Sequence, residues 1–165
     1  PRLPRQALGM AAAFIGLGAN LGDRKGNIAR AKRMLKELPG VDILRESSIE
    51  ETKAVDVTDQ PDFLNQIVMV RTDIPPLELL RSMLDIESAM GRVRTVRGGP
   101  RVIDLDLLLY GGETMDTVEL RLPHPEIVRR PFVLKQLLEI SPGLREPATG
   151  KPYREVYDAA LEKHQ

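Results

Sequence analysis

The sequence predicts an α+β fold: a ferredoxin-like β-α-β-β-α-β sandwich, a largely antiparallel sheet with helices packed on its faces and extra C-terminal helices. Three observations lead there. Segments of two-residue apolar period and segments of helical period follow one another in that order. No internal repeat, low-complexity tract or composition break marks a linker, so the 165 residues read as one unit. Aromatics make up only 4% of the chain, so its core must be aliphatic, which suits sheet-on-helix packing.

The apolar run "AAAFIGLG" reads as the first strand, ending in the turn "NLGD". Upstream, Arg2 and Arg5 before "ALGMAAAFIGLGA" imitate a secretory signal, but Gly16, Gly18 and the direct passage into the turn favour a buried strand. Met10 is a candidate natural start, with residues 1–9 an extension or cloning remnant and residues 10–165 a single domain. "RKGNIARAKRMLKELPG" places Ile28, Ala31, Leu35 and Leu38 on one helical stripe, closed by Gly40. "VDILRESSIEET" alternates as a second strand. In "FLNQIVMVRT" both alternating sets are mostly apolar, as in a strand near the middle of a sheet, and Asn65 is the misfit.

Pro75 and Pro76 open the next helix, "LELLRSMLDIESAM", with Leu79, Leu80, Met83, Ile86 and Met90 at helical spacing and Gly91 at its end. An arginine-rich segment leads into the strand "VIDLDLLLY". After "LRLPHPEIVRRP" come a third helix, "FVLKQLLEI", and a short terminal one near "REVYDAALEKH".

Charge narrows the function. With 24 basic and 24 acidic side chains the formal charge is zero, which argues against a general nucleic-acid or membrane-surface binder. The absence of cysteine excludes disulfides, thiolate metal sites and cysteine nucleophiles, and fits a cytoplasmic enzyme. The chemistry concentrates in "RTVRGGPRVIDLDLLLY". Strand alternation sends Ile103, Leu105, Leu107 and Leu109 to one face and Asp104 and Asp106 to the other, their α-carbons about 6.5 Å apart. Like charges so close call for a cation, and magnesium takes oxygen ligands while keeping places open for phosphate. A pair of solvated aspartates is the competing reading. Arg92, Arg94, Arg97 and Arg101 stand just upstream on a loop marked by Gly98, Gly99 and Pro100. Forked guanidinium groups suit polyphosphate, so loop and strand together describe a phosphoryl-transfer site, although a solvated basic loop also fits the arginines alone.

"GLGANLGD" lacks the lysine of a P-loop and misses the dinucleotide-binding spacing; it is a tight turn in which Asn20 is a candidate ligand-lining residue. His124, between Pro123 and Pro125, sits on a stiffened backbone and is a candidate ligand contact; His164 has no such setting.

"GGPRVIDLDLLLY" resembles the signature of the 6-hydroxymethyl-7,8-dihydropterin pyrophosphokinase family, a Pro-Arg pair followed by Asp-hydrophobic-Asp. "FIGLGANLGD", "DQPDFLN", "MGRVR" and "LPHPEIVRRPFVL" resemble further segments of that family, in order from Phe14 to Leu138. The resemblance implies transfer of pyrophosphate from ATP to the hydroxymethyl group of a reduced pterin, releasing AMP, in folate biosynthesis. It implies that Asp104 and Asp106 bind two Mg2+ ions and that Arg92 and Arg101 stabilise the polyphosphate. Arg94, Arg97, His124 and Arg130 would contact ATP; Asn65 would read the pterin edge, and Phe63 and Phe132 would sandwich its ring. A monomer acting on small molecules, with no nucleic acid and no membrane, is expected.

The chain departs from the pattern in three places: Gly98 stands where many relatives have tryptophan, "TKAVDVTDQPD" lacks a common proline- and glycine-containing form, and Leu84 replaces a glutamine near the adenine. Two alternatives remain open: another magnesium-dependent nucleotidyl or phosphoryl transferase on the same fold, or an RNA-binding module of the same element order.

Overall fold

The computed structural model describes residues 10–54, 59–91 and 101–163. Strand β1 (Ala11–Ala19) leads through a turn into helix α1 (Arg24–Glu37). Asp23 caps α1 by accepting the Gly26 N–H at 3.0 Å, and a Cβ at position 26 would collide with that carboxylate. Then follow β2 (Val41–Glu46), β3 (Glu50–Thr52), β4 (Phe63–Thr72), α2 (Pro76–Ala89) and β5 (Asp104–Tyr110). The expected glycine stops are present: Gly40 and Gly91 lie just beyond α1 and α2, both at φ +85°.

The sheet runs β2-β4-β1-β5 with every pairing antiparallel, β3 also pairing with β4. Each helix thus joins two strands separated by one other, the split β-α-β arrangement expected from the element order. Ile28, Ala31 and Leu35 of α1 and Leu79, Met83 and Ile86 of α2 bury one sheet face together with Ala13, Ile15, Leu17, Leu105 and Leu107. Each leucine, isoleucine or methionine side chain so withdrawn from water contributes about 2 kcal/mol. The opposite face packs Phe14, Ile67 and Leu108 against α4 (Pro131–Ile140) and α5 (Tyr153–Lys163). Between β5 and α4 lie a small hairpin, β6 (Met115–Asp116) with β7 (Arg121–Leu122), and one helical turn, α3 (Glu126–Arg129); the sequence pattern did not single these out.

Two local expectations are corrected. Leu109 does not share a face with Leu105 and Leu107. The pairing with β1 slips between Phe14 and Ile15, which sends Leu109 to the α4 face and returns Tyr110 to the other. A β-bulge inserts one residue and inverts the alternation beyond it. The single strand expected over 41–52 is broken at Ser47–Ile49, where Ser47 binds both polar backbone groups of Ile67: its N–H donates to the carbonyl at 2.8 Å and its hydroxyl accepts the amide at 2.9 Å. Residues 1–9, the proposed extension, lie outside the described residues.

Candidate active site

Strand register assembles the site. Gly18 is flanked by Asn65 on β4 and Asp104 on β5; one step along, Gly16 is flanked by Ile67 and Asp106. All six therefore belong to the α4 face, and the two glycines form a floor without side chains between the asparagine and the aspartates. A Cβ on Gly18 would stand 3.2 Å from Asn65 Oδ1, a tight approach, and touch Phe63 at 3.7 Å. Above this floor is a cavity whose walls include Phe63, Asn65, Phe132 and Gln136, with Arg101, Asp104, Asp106 and Arg130 at one end. The Asn65 side-chain amide donates to Thr52 Oγ1, which fixes its orientation.

Because β5 is the sheet edge, a second cavity reaches the same aspartates around it. Its walls include Leu80, Leu84 and Glu87 of α2, Val118 and Arg121, and His124. Arg101, Asp104 and Asp106 border both spaces. A molecule in each would meet its neighbour at the carboxylate pair.

The charges at this seam are paired within the chain. Arg101 Nη1 lies 3.1 Å from Asp104 Oδ2, and Arg130 Nε 2.8 Å from Glu126 Oε2. His124 Nε2 is 3.9 Å from Asp106 Oδ1, while Nδ1 accepts the Glu126 N–H at 3.1 Å. A neutral ring accepting at Nδ1 carries its proton on Nε2, toward the aspartate. Burial lowers the His124 pKa, so the ring is neutral at pH 7. The backbone of His124 is held against β5 by donation to the Leu108 carbonyl at 2.9 Å.

Asp106 carries the main electrostatic load. Burial, and then the neighbouring Asp104 and Glu87 carboxylates, push its pKa up to about 8, against a smaller downward pull from Arg130 and Arg101. The side chain nevertheless keeps 43% of its surface open to the cavities. An accessible carboxylate that resists ionisation beside another is a place for a cation. The donors are all oxygen and only two in number, which leaves most of a hard cation's coordination to water or ligand. Among the described residues no cluster of three or more His, Cys, Asp or Glu side chains could hold a metal by itself.

Of the residues singled out by sequence, Arg101, Asp104, Asp106, Phe63, Asn65, His124, Arg130 and Phe132 line one cavity or both. Arg92, Arg94 and Arg97 lie outside the described residues, as does His164. Asn20 is placed differently from its expected ligand-lining position. It is 1% exposed and lines neither cavity; its amide donates to Gln60 Oε1 at 2.8 Å and the Pro61 carbonyl at 2.9 Å. Its Oδ1 accepts the Arg101 N–H at 2.7 Å, so it anchors the backbone of Arg101 from behind.

Sequence reasoning passed over Glu87, Glu126 and Gln136. Glu87 is 3% exposed and accepts the N–H of Leu105, between the two aspartates, at 2.7 Å. Its signal was a carboxylate four residues after Met83 and three before Met90, on the apolar stripe of α2. The aromatic platform that an RNA-recognition sheet would expose is not open here: α4 and α5 cover that face, and Phe63 lies within the cavity.

The sequence model of the 7,8-dihydro-6-hydroxymethylpterin-pyrophosphokinase family matches residues 14–142. The chain is 42% identical to the 2-amino-4-hydroxy-6-hydroxymethyldihydropteridine pyrophosphokinase of Bacillus subtilis, over 83% of this chain and 82% of that one. It is 43% identical to the protein of the same name from Methylorubrum extorquens, over 82% and 85%. With the folic acid synthesis protein fol1 of Schizosaccharomyces pombe it shares 39% identity over 88% of its length, but it spans only 20% of that larger protein. Among solved structures, the Plasmodium falciparum HPPK-DHPS protein with pteroate superposes with a TM-score of 0.71 at 16% identity, over 93% of this chain and 43% of that one, a likeness of fold. No helix among the described residues is long and apolar enough to cross a membrane.

Proposed function

The chain belongs to the 7,8-dihydro-6-hydroxymethylpterin pyrophosphokinase family, and from that premise we propose that it transfers pyrophosphate from ATP to the hydroxymethyl oxygen of 6-hydroxymethyl-7,8-dihydropterin. The hydroxyl oxygen bonds to the β-phosphorus, the bond from that phosphorus to the oxygen bridging it to the α-phosphorus breaks, and AMP leaves with the bridging oxygen; the hydroxyl loses its proton. The observation that carries this reading is the pair of cavities sharing Arg101, Asp104 and Asp106, the first with aromatic walls and the Asn65 amide, the second with the aliphatic Leu80, Leu84 and Val118 beside His124.

The pterin would lie over Gly16 and Gly18, its ring between Phe63 and Phe132 and its polar edge on Asn65. The polyphosphate would run along the seam toward His124, whose neutral Nε2–H donates to a phosphate oxygen without drawing off a proton. Arg101 and Arg130 would exchange their carboxylate partners for phosphate oxygens and stabilise the charge that develops during transfer. Arg92 would also stabilise the polyphosphate, and Arg94 and Arg97 would contact ATP. Asp104 and Asp106 would hold Mg2+, in two ions; when bound, the metal neutralises phosphate charge and acidifies the acceptor hydroxyl, so no side-chain base is required. The base of ATP would rest on Leu80, Leu84 and Val118. The enzyme acts in the cytoplasm as a monomer, with residues 10–165 as one domain.

The test is AMP release from ATP and Mg2+ with and without the reduced pterin. Pterin-dependent AMP together with a pyrophosphorylated pterin is the expected result. Pterin-independent AMP, or none despite bound ATP, would remove the pterin as acceptor.

A further inference from the structure

Helix α4 carries a stripe of polar side chains onto the broken part of the sheet. Lys135 pairs with Glu50 at 2.6 Å, and Glu139 accepts the Ser48 N–H at 2.8 Å and its hydroxyl at 2.9 Å. Between them Gln136 is 1% exposed, deeper than any other polar residue on the helix. Its Nε2 donates to the Asn65 carbonyl at 2.9 Å and to the Ser48 carbonyl at 3.2 Å. Ser48 lies in the interruption of strand pairing at Ser47–Ile49 and Asn65 at its edge, opposite Glu50; one amide spans both carbonyls, that of Ser48 also accepting the Ser47 hydroxyl at 2.9 Å. Gln136 lies one helical turn after Phe132, and both line the cavity of Asn65. The helix that brings an aromatic wall to that cavity thus also grips the backbone of the residue facing it.

We propose that Gln136 is a positioning residue for the acceptor substrate: its amide bridges the break beside β4 and thereby fixes where the Asn65 side chain presents itself. The inference rests on the reading of Asn65 as the pterin contact. Gln136 acts through the Asn65 main chain, since its donors are directed to carbonyl groups. A bridge that merely sealed the sheet would support both substrates alike. A positioning bridge acts on one, because the second cavity contains neither Gln136 nor Asn65.

The experiment is a double-substitution cycle with Q136M, which keeps an unbranched side chain of similar length and removes the donor, and N65A. The pterin and ATP KM values are read for each single variant and for the pair, and Q136L checks that the result follows loss of the amide. Q136M should raise the pterin KM about tenfold, because the Asn65 carbonyl loses its side-chain donor, and leave the ATP KM unchanged. In the N65A background Q136M should add little. Equal rises in both KM values, or a Q136M effect undiminished in the N65A background, would overturn the proposal and make Gln136 a structural bridge. An unchanged pterin KM in Q136M with a raised one in N65A would also overturn it, leaving the pterin reading intact. An unchanged pterin KM in N65A would instead overturn the reading of Asn65 and the proposal with it.

Discussion

Over β4, in the first cavity, the amides are neutral and fixed by neutral partners: Asn65 donates to Thr52, and Gln136 donates to the Asn65 carbonyl. At the end of that cavity next to β5, and on around the edge of the strand, the polar groups are ionic and each occupies another: Arg101 with Asp104, Arg130 with Glu126, His124 close to Asp106. The first arrangement suits a flat ligand with a polar edge, since its hydrogen-bonded amides and aromatic walls are rigid before binding. The second suits a polyanion with a metal, whose charges replace those that the protein holds in place. Catalysis belongs to the border between them. Substitutions should therefore separate into three behaviours: loss of chemistry at the seam, loss of acceptor binding over β4, and altered ligand-free stability where like charges crowd.

The largest effect is expected at the seam. Asp106→Ala should lower turnover by about 1000-fold or more, because several kcal/mol of charge stabilisation depend on the metal site; circular dichroism should report an unchanged fold. Substantial residual turnover would detach the aspartates from the reaction. Arg101→Ala comes next. Steady-state kinetics should show kcat reduced by about 100-fold, as for loss of one preorganised cation at the transferring group, with a smaller change in the ATP KM. An effect confined to the ATP KM would make Arg101 a binding anchor. Over β4, Asn65→Ala should raise the pterin KM by about tenfold and spare the ATP KM; a common rise in both would erase the distinction between the cavities.

The smallest effect has the opposite sign to the usual cost of a substitution. The folded protein holds the Asp106 pKa at about 8, far above the ordinary carboxylate value of 3.8. Between those limits the folded state carries more protons than the unfolded one, so without metal its stability declines as pH rises through that window. Asp106→Asn removes the contribution. Thermal denaturation without Mg2+ should give similar Tm values for wild type and variant near pH 4 and a Tm higher by a few degrees for the variant near pH 8. Parallel curves would mean that the carboxylate is not strained, and the argument for a cation there would lose its electrostatic basis.

Much of this arrangement was legible in the chain because it depends on local period and residue type. Asp104 and Asp106 share a face through strand alternation, Asn65 stands out on an apolar strand, and Pro123 and Pro125 mark His124 as rigidly mounted. The hidden parts are those fixed by distant partners. Asn20 read as ligand-lining because it ends a glycine turn, but its partners lie 40 and 81 residues away and draw it behind the site. Gln136 reads as a helix-compatible residue until the fold sets the carbonyls of Ser48 and Asn65, 88 and 71 residues away, across from it. Leu109 changes face through a bulge that no apolar pattern marks, since residues on both sides of it are leucine or tyrosine.

In the proposed reaction an acceptor lying over β4 takes the terminal pyrophosphoryl group across the aspartate seam. It is tested most directly with ATP labelled separately at the α- and β-phosphates, supplied with Mg2+ and 6-hydroxymethyl-7,8-dihydropterin. The β-label is expected in the pterin product and the α-label in AMP alone. An α-label on the acceptor would mean nucleotidyl transfer, and the β-label left in ADP would mean transfer of a single phosphoryl group; either would contradict it.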